Sequence, residues 1–412
     1  MVAGKSSWKI NLLLVIASLA LIALLTFGVD FAAGKIMPEV SYTGRMELIF
    51  PPGNEQEFRT TDFTYTARIN NWGLREREIA PERDGKYRIL AIGDSFTYGW
   101  GVESEQTWLR LMEERMVKDG YNVETINCGK PGEGPPFYAT LAEKVIPLFK
   151  PDLVIVGMLM GDDVAAAGPE GLKPAEGWLM EHVRRLYPNL TRIVEMRGRA
   201  ADGQPAAHQP GKPSKSTAED NRRYSAKTAK DFLDKMSPEE RGRFDGFEDK
   251  VKKAYLDGLL NPYMVDLAMK NKNFYANQVN LDDPWNKGCI ERTGAHMLRI
   301  KKVAERCGAK VAVVSIPPGM YVNDAALKNI ARVGYETKPE MVDSDAVDAA
   351  IKMACDSAGL PFYSVTKAFK DRRADPSLYF ELDYHLNVNG HKFYAEQIAP
   401  IIEKVVGDKA KK

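Results

Sequence analysis

The chain has 412 residues, enough for one large domain or two. With 44% hydrophobic and 27% charged residues it can build a sizeable core, and wholesale disorder is excluded. Basic and acidic side chains number 57 and 56, a net charge of +1, which speaks against a global electrostatic grip on nucleic acid. The four cysteines (Cys128, Cys289, Cys307 and Cys355) are scattered and form no C-x-x-C pair, so neither a zinc knot nor a disulfide scaffold is expected.

Residues 12–29 run for 18 positions without a charge. That is close to the ~20 residues a helix needs to cross the hydrocarbon layer, and longer than a usual signal-peptide core. Lys5 and Lys9 precede the run and Asp30 follows it. The positive-inside bias therefore predicts a single-pass signal anchor (residues 1–34) in the inner, or plasma, membrane. Its N-terminus would be cytoplasmic and its body periplasmic or extracellular. Cleavage is not expected, because Asp30-Phe31-Ala32-Ala33 is a poor A-x-A site.

Residues 35–86 are turn-rich and read as a lead-in hairpin or cover. From residue 87 apolar runs alternate with helical patterns. Strands are predicted at 87–92, 123–126, 153–159, 310–316 and 361–365. Helices are predicted at 107–117, 138–149, 292–306, 342–358 and 388–405. The third run, LVIVGML, has no polar alternation, as expected of a strand buried on both faces. The rhythm predicts an α/β fold with a parallel sheet and right-handed crossovers. Residues 165–288 interrupt it with charged helical patterns and a Pro/Gly/Lys/Ser stretch at 203–217. They read as a helical insertion capping the strand ends, with the sheet domain formed by 87–164 and 289–406.

Ligands of an open α/β sheet gather at the carboxyl ends of its strands. After the first strand stands Gly93-Asp94-Ser95, where a strand-to-helix turn exposes a hydroxyl, or where Asp and Ser simply cap a helix. After the second stands Asn127-Cys128-Gly129-Lys130-Pro131-Gly132, whose glycines allow close backbone approach. After the third stands Gly161-Asp162-Asp163, suited to a metal or, more plainly, to capping the next helix. Near the C-terminus, Asp383-Tyr384-His385-Leu386-Asn387-Val388-Asn389-Gly390-His391 carries two of the five histidines. Asp383 is close enough along the chain to orient the His385 imidazole. His182, His208 and His296 have no partner at metal-ligand spacing and are expected at the surface. Trp178, Tyr187, Tyr224, Phe232, Phe244, Phe247, Tyr255 and Tyr263 are expected to form the insertion's own core.

Taken together, these blocks resemble the SGNH or GDSL hydrolases, serine esterases and acyltransferases. The resemblance covers roughly residues 60–164 and 289–406. It implies a flavodoxin-like three-layer α/β/α sandwich, Ser95 as nucleophile, His385 as general base and Asp383 as its orienter. The backbone N–H of Ser95 and that of Gly132, with Gly129 as the alternative, would line an oxyanion hole. The acid often stands three residues before the histidine in this family, where Leu382 lies here, and Glu381 is a weak substitute. At the third block the family usually has Asn before Asp, the amide donating to the oxyanion. Here Asp162 takes that position, and an ionised carboxylate has no donor. Three readings stay open: a carboxyl protonated in a dry site, a donor supplied by the insertion, or a slow or specialised enzyme.

No metal or organic cofactor is implied. The anchored, outward-facing arrangement points to an acylated (foremost O-acetylated) envelope or extracellular glycan as substrate, with lipid esters next. The alternatives are O-acyl transfer to a glycan alongside a membrane acyltransferase, and a non-catalytic glycan-binding or scaffold module.

Overall fold

The computed structural model describes residues 7–36, 47–80, 84–168, 186–187, 190 and 213–411. Trp178, His182, His208 and most of the 203–217 stretch lie outside them. The chain divides into two compact units, residues 1–46 with 173–212, and residues 47–172 with 213–412.

In the first unit, helix α1 (Ser7–Ile36) contains a stretch, Asn11–Ala32, of mean hydropathy 2.8 that is long and apolar enough to cross a membrane.

The second unit begins with an antiparallel hairpin, β1 (Glu55–Arg59) and β2 (Thr64–Arg68). Then β3 (Tyr87–Gly93) leads through a one-turn helix, α2 (Ser95–Tyr98), to α3 (Trp108–Lys118). Next come β4 (Val123–Gly129), α4 (Pro135–Phe149), β5 (Leu153–Leu159) and the short α5 (Asp162–Ala166). After the gap, β6 (Lys215–Ser216) pairs parallel with β1, so the end of the predicted loop is a two-residue strand. Helices α6 (Ala218–Leu233), α7 (Pro238–Asp245), α8 (Asp249–Leu256), α9 (Pro262–Lys270) and α10 (Phe274–Asn277) follow. Helix α11 (Pro284–Arg306) starts eight residues before the sequence reading put it. Asp283 accepts from the N–H groups of Trp285 and Asn286, and Pro284 occupies the first turn, a start signal that lies ahead of the apolar periodicity. The chain ends with β7 (Lys310–Ile316), α12 (Asp324–Arg332), α13 (Glu340–Asp343), α14 (Ala346–Ala358), β8 (Phe362–Tyr363), α15 (Thr366–Lys370) and α16 (Val388–Val406).

Among the described residues β4-β3-β5-β7-β8 form a five-stranded, all-parallel sheet. Counted along the chain its order is 2-1-3-4-5, the flavodoxin-like doubly wound arrangement. Every residue of β3 and β5 is buried, because helices cover both faces. Helix α3 packs with α16, and α4 and α14 both pack with α11. The switch in strand order falls between β3 and β5, whose carboxyl ends carry Ser95 and Asp162.

The opposite end of the sheet is fastened by a buried arginine. Arg88 donates to Glu124 (2.6 Å), to the Phe149 carbonyl (2.9 Å) and to the Ala80 carbonyl (3.1 Å). Removing Arg88 takes the partner from the half-buried Glu124 and a donor from the Phe149 carbonyl, and an unmet buried polar group costs about 1–3 kcal/mol. Arg88→Ala should therefore lower the urea midpoint of the full chain, followed by tryptophan fluorescence. An unchanged midpoint would show that this network contributes nothing.

Candidate active site

The Ser95 turn lies directly on the sheet. Gly93 of β3 stands level with Gly129 of β4 and Gly157 of β5. A Cβ at Gly93 or Gly157 would come within 2.1 Å or 2.5 Å of the Thr97 hydroxyl, and one at Gly129 within 2.3 Å of the Tyr98 amide nitrogen. Three glycines in one row thus let α2 sit where side chains would otherwise hold it off. Asn127 braces the same turn, donating to the Thr97 carbonyl (2.7 Å) and accepting from the Gly129 N–H (2.9 Å). Gly129 is therefore packed under α2, whereas Gly132, at φ +75°, lines the adjoining cavity.

Asp94 caps α2, accepting from the Phe96 N–H at 2.9 Å. On the far side of the turn the guanidinium of buried Arg75 donates to the carbonyls of Tyr98 (2.9 Å), Gly99 (2.8 Å) and Val102. It also lies over the Tyr65 and Tyr98 rings, 4.9 and 4.7 Å from their centroids. Sequence reasoning missed Arg75, because an arginine that binds only carbonyls and aromatic faces leaves no charge pair to read.

The structure brings Ser95, His385 and Asp383 together. Ser95 Oγ lies 2.6 Å from His385 Nε2, and Asp383 Oδ1 accepts from His385 Nδ1. With Nδ1 protonated toward the carboxylate, Nε2 is free to accept the serine proton. The three residues are 8%, 4% and 5% exposed. The two-residue spacing suffices because Asp383 Oδ1 also accepts the backbone N–H of His385 at 3.1 Å, closing a tight turn. Asp62, from the hairpin, holds this loop by accepting the N–H groups of Leu382 (2.6 Å) and Asp383 (2.8 Å). Burial raises the Asp62 pKa. Glu381 points elsewhere, to Arg332. The imidazole is wedged between rings: Tyr384 stacks on it at 4.8 Å and Phe96 lies 4.5 Å away.

His391 has a different role. It is buried, and its Nδ1 accepts the Trp108 N–H at 3.1 Å, joining α16 to the start of α3. Burial pushes its pKa down to about 3, so it stays neutral. His296 is half-buried on α11 rather than at the surface, and burial lowers its pKa.

The Asp162-Asp163 pair does not cap a helix. Gly161 occupies the cap position without a side-chain bond. Asp163 reaches back to the Leu159 N–H (2.8 Å) and accepts from the Tyr138 hydroxyl (2.8 Å), an internal brace for the end of β5. Asp162 shares a cavity of about 630 Å³ with Ser95, His385 and Gly132. Burial and then the Asp94 charge raise its pKa to about 7, and burial raises that of Asp94 to about 6.

The cavity is walled by the hairpin (Phe58), the segment after α2 (Trp100) and helices α6, α9 and α10. Tyr224 and Tyr263 are 53% and 55% exposed on this wall, their hydroxyls 3.3 Å apart. They are not part of a buried core as expected, because their helices present them to the opening. Phe244, Phe247 and Tyr255 do pack together. All four cysteines are free thiols.

No family model matches the sequence. A curated relative, Esterase TesA of Pseudomonas aeruginosa, is 27% identical over 88 residues, 21% of this chain. The matched stretch spans 41% of that relative's length. Similar solved structures include TesA (TM-score 0.35, 10% identity, covering 77% of this chain and 99% of that one). The psychrotrophic esterase EstA from Pseudoalteromonas sp. gives 0.35 and 10% (78% and 98%), and an acetyl xylan esterase, AlAXEase, 0.33 and 13% (76% and 99%). A GDSL-like lipase from Bacteroides thetaiotaomicron is also similar, at 0.35 and 11% (79% and 93%).

The glycine row yields a direct test. Gly129→Ala must displace backbone rather than a flexible side chain, and should move Ser95 off His385. Overpacking of this kind costs about 1–3 kcal/mol of stability. The expected result is a fall in the rate of serine labelling by a fluorophosphonate, larger than the accompanying shift in unfolding midpoint explains. Labelling at the wild-type rate would show that the turn does not depend on this contact.

Proposed function

We propose that this protein is a serine ester hydrolase working through Ser95, His385 and Asp383. The observation that carries the reading is the hydrogen-bonded series Asp383–His385–Ser95 opening into a cavity large enough for a substrate. His385 Nε2 takes the Ser95 proton as Oγ attacks an ester carbonyl. Asp383 stabilises the resulting imidazolium, which then protonates the departing alkoxide. Water, activated by the same histidine, resolves the acyl-enzyme. The N–H groups of Ser95 and Gly132 are the backbone donors proposed for the oxyanion. The name of the curated relative, an esterase, supports the reaction class.

Ser95→Ala should abolish both 4-nitrophenyl acetate hydrolysis and fluorophosphonate labelling. Asp383→Asn should lower kcat by about 10⁴, since the amide favours the wrong imidazole tautomer. A wild-type chain that neither labels at Ser95 nor turns over the ester would leave a binding module as the better reading.

For the substrate we propose an acylated, foremost O-acetylated, envelope or extracellular glycan. The cavity is far larger than an acetyl group, and its wall offers amphipathic aromatics (Trp100, Tyr224, Tyr263) beside Asn221, Asn261 and Arg59. Rings with polar tips suit sugar faces and hydroxyls. Leu260, Met264 and Leu267 favour a second reading, a lipid ester. Helix α1 supports placement in the inner membrane with the body outside the cytoplasm. Release of free acetate from an O-acetylated glycan, in preference to hydrolysis of 4-nitrophenyl octanoate, is the expected outcome. Acetyl-glycan formation exceeding free acetate would make the protein a transferase, and preference for octanoate would make it a lipid esterase.

A further inference from the structure

Asp162 stands at the carboxyl end of β5, in the cavity that holds Ser95 and His385. Its two oxygens differ sharply. Oδ2 accepts from the Tyr384 hydroxyl (3.3 Å) and the Tyr275 hydroxyl (3.5 Å). Oδ1 is buried and has no hydrogen-bond partner among the described residues. A buried carboxyl oxygen left in this way is costly unless a ligand completes it.

The surrounding groups are otherwise committed. Tyr321 donates to the Tyr275 carbonyl (3.0 Å) and Tyr335 to the Met264 carbonyl (2.9 Å). Asp163 is taken up by Leu159 and Tyr138, and His385 by Ser95 and Asp383. Asp94 faces Asp162 as a second buried carboxyl and caps α2. A phenolic hydroxyl has a single hydrogen. Those of Tyr275 and Tyr384, once given to Oδ2, place any carboxyl proton on Oδ1.

The geometry points to Asp162 acting as a neutral acid whose Oδ1–H donates a hydrogen bond to the oxyanion, with Tyr275 and Tyr384 as positioning residues that fix which oxygen carries the proton. This rests on the serine-hydrolase reading and supplies the donor that an asparagine would otherwise provide. In the step itself Ser95 Oγ bonds to the carbonyl carbon, its proton moves to His385 Nε2, and the carbonyl π pair moves to oxygen. Asp162 keeps its proton throughout. On collapse the pair re-forms the carbonyl, the C–O bond to the leaving group breaks, and His385 returns the proton to that oxygen.

Burial and Asp94 push the Asp162 pKa up to about 7, while the two tyrosine hydroxyls pull it down by stabilising the ionised form. The carboxyl is therefore a donor below that pH and a repelling anion above it. Removing either hydroxyl must raise the pKa further, whereas replacing Asp162 by Asn removes the titration. The tyrosines would then orient the amide with its oxygen toward them and its NH₂ toward the oxyanion.

The experiment is the pH dependence of kcat and kcat/KM for 4-nitrophenyl acetate, using the full chain in detergent micelles. The variants are Asp162→Asn, Tyr384→Phe, Tyr275→Phe and Ser95→Ala. Wild-type kcat should fall above about pH 7. In Asp162→Asn that alkaline fall should vanish, leaving it ~10²-fold faster than wild type well above neutrality. Each Tyr→Phe variant should move the falling limb to higher pH, which a merely structural role would not do. An unchanged profile and rate in Asp162→Asn, with Ser95→Ala inactive, overturns the proposal. If Asp162→Asn does not fold, limbs unmoved in both tyrosine variants overturn it equally. Activity or labelling that survives Ser95→Ala would instead defeat the hydrolase reading beneath it.

Discussion

The close approach of one helical turn to the sheet is the constraint on which the site depends. Ser95 must leave β3 and turn immediately, so that its hydroxyl stays at the sheet's edge within reach of a histidine 290 residues further along the chain. A side chain at Gly129 would push on the α2 backbone itself, and one at Gly93 or Gly157 on the Thr97 side chain beneath it. With the row empty, Asn127 and Arg75 pin the turn from either side through its carbonyls. A rigidly held turn is what keeps the Ser95 hydroxyl within hydrogen-bond reach of His385.

That placement carries an electrostatic penalty. Asp94, Asp162 and Asp163 are gathered at the ends of two adjacent strands, and all three have raised pKa values with burial as the first cause. Two carboxylates close together in a dry site cannot both ionise easily. Asp163 is reconciled by hydrogen bonds from Leu159 and Tyr138, and Asp94 by the Phe96 N–H and by the nearby His385. Asp162 is satisfied on one oxygen only. Asp162, the residue least reconciled with its surroundings, borders the cavity together with Asp94.

The sheet supplies the serine and the acids, while elements outside it shape what reaches them. The hairpin contributes Asp62, which holds the Asp383 loop, and Phe58 on the cavity wall. Helices α6, α9 and α10 supply Tyr224, Tyr263 and Tyr275. The Ser95–His385–Asp383 cluster and most of the cavity wall therefore come from different stretches of chain, which allows one to vary without the other.

Much of this was legible in the sequence. Unbroken apolar runs followed by Gly-Asp-Ser, Asn-Cys-Gly and Gly-Asp-Asp announced buried parallel strands and the loops at their carboxyl ends, because strand burial is written in local composition. The Asp-x-His spacing made Asp383 a neighbour of His385, because two residues along a tight turn leave little freedom. What stayed hidden depends on contacts between segments remote in sequence. Asp62 and Arg75 act on backbone groups, which any sequence possesses, and so leave no complementary residue type to detect. The tyrosines on Asp162 come from α10 and from the His385 loop, 113 and 222 residues away. The sequence by itself determined that a carboxyl, not an amide, stands at the end of β5. Only the tertiary structure, by burying one oxygen and giving the other to two phenols, decided which of its oxygens is bonded and which is left without a partner among the described residues.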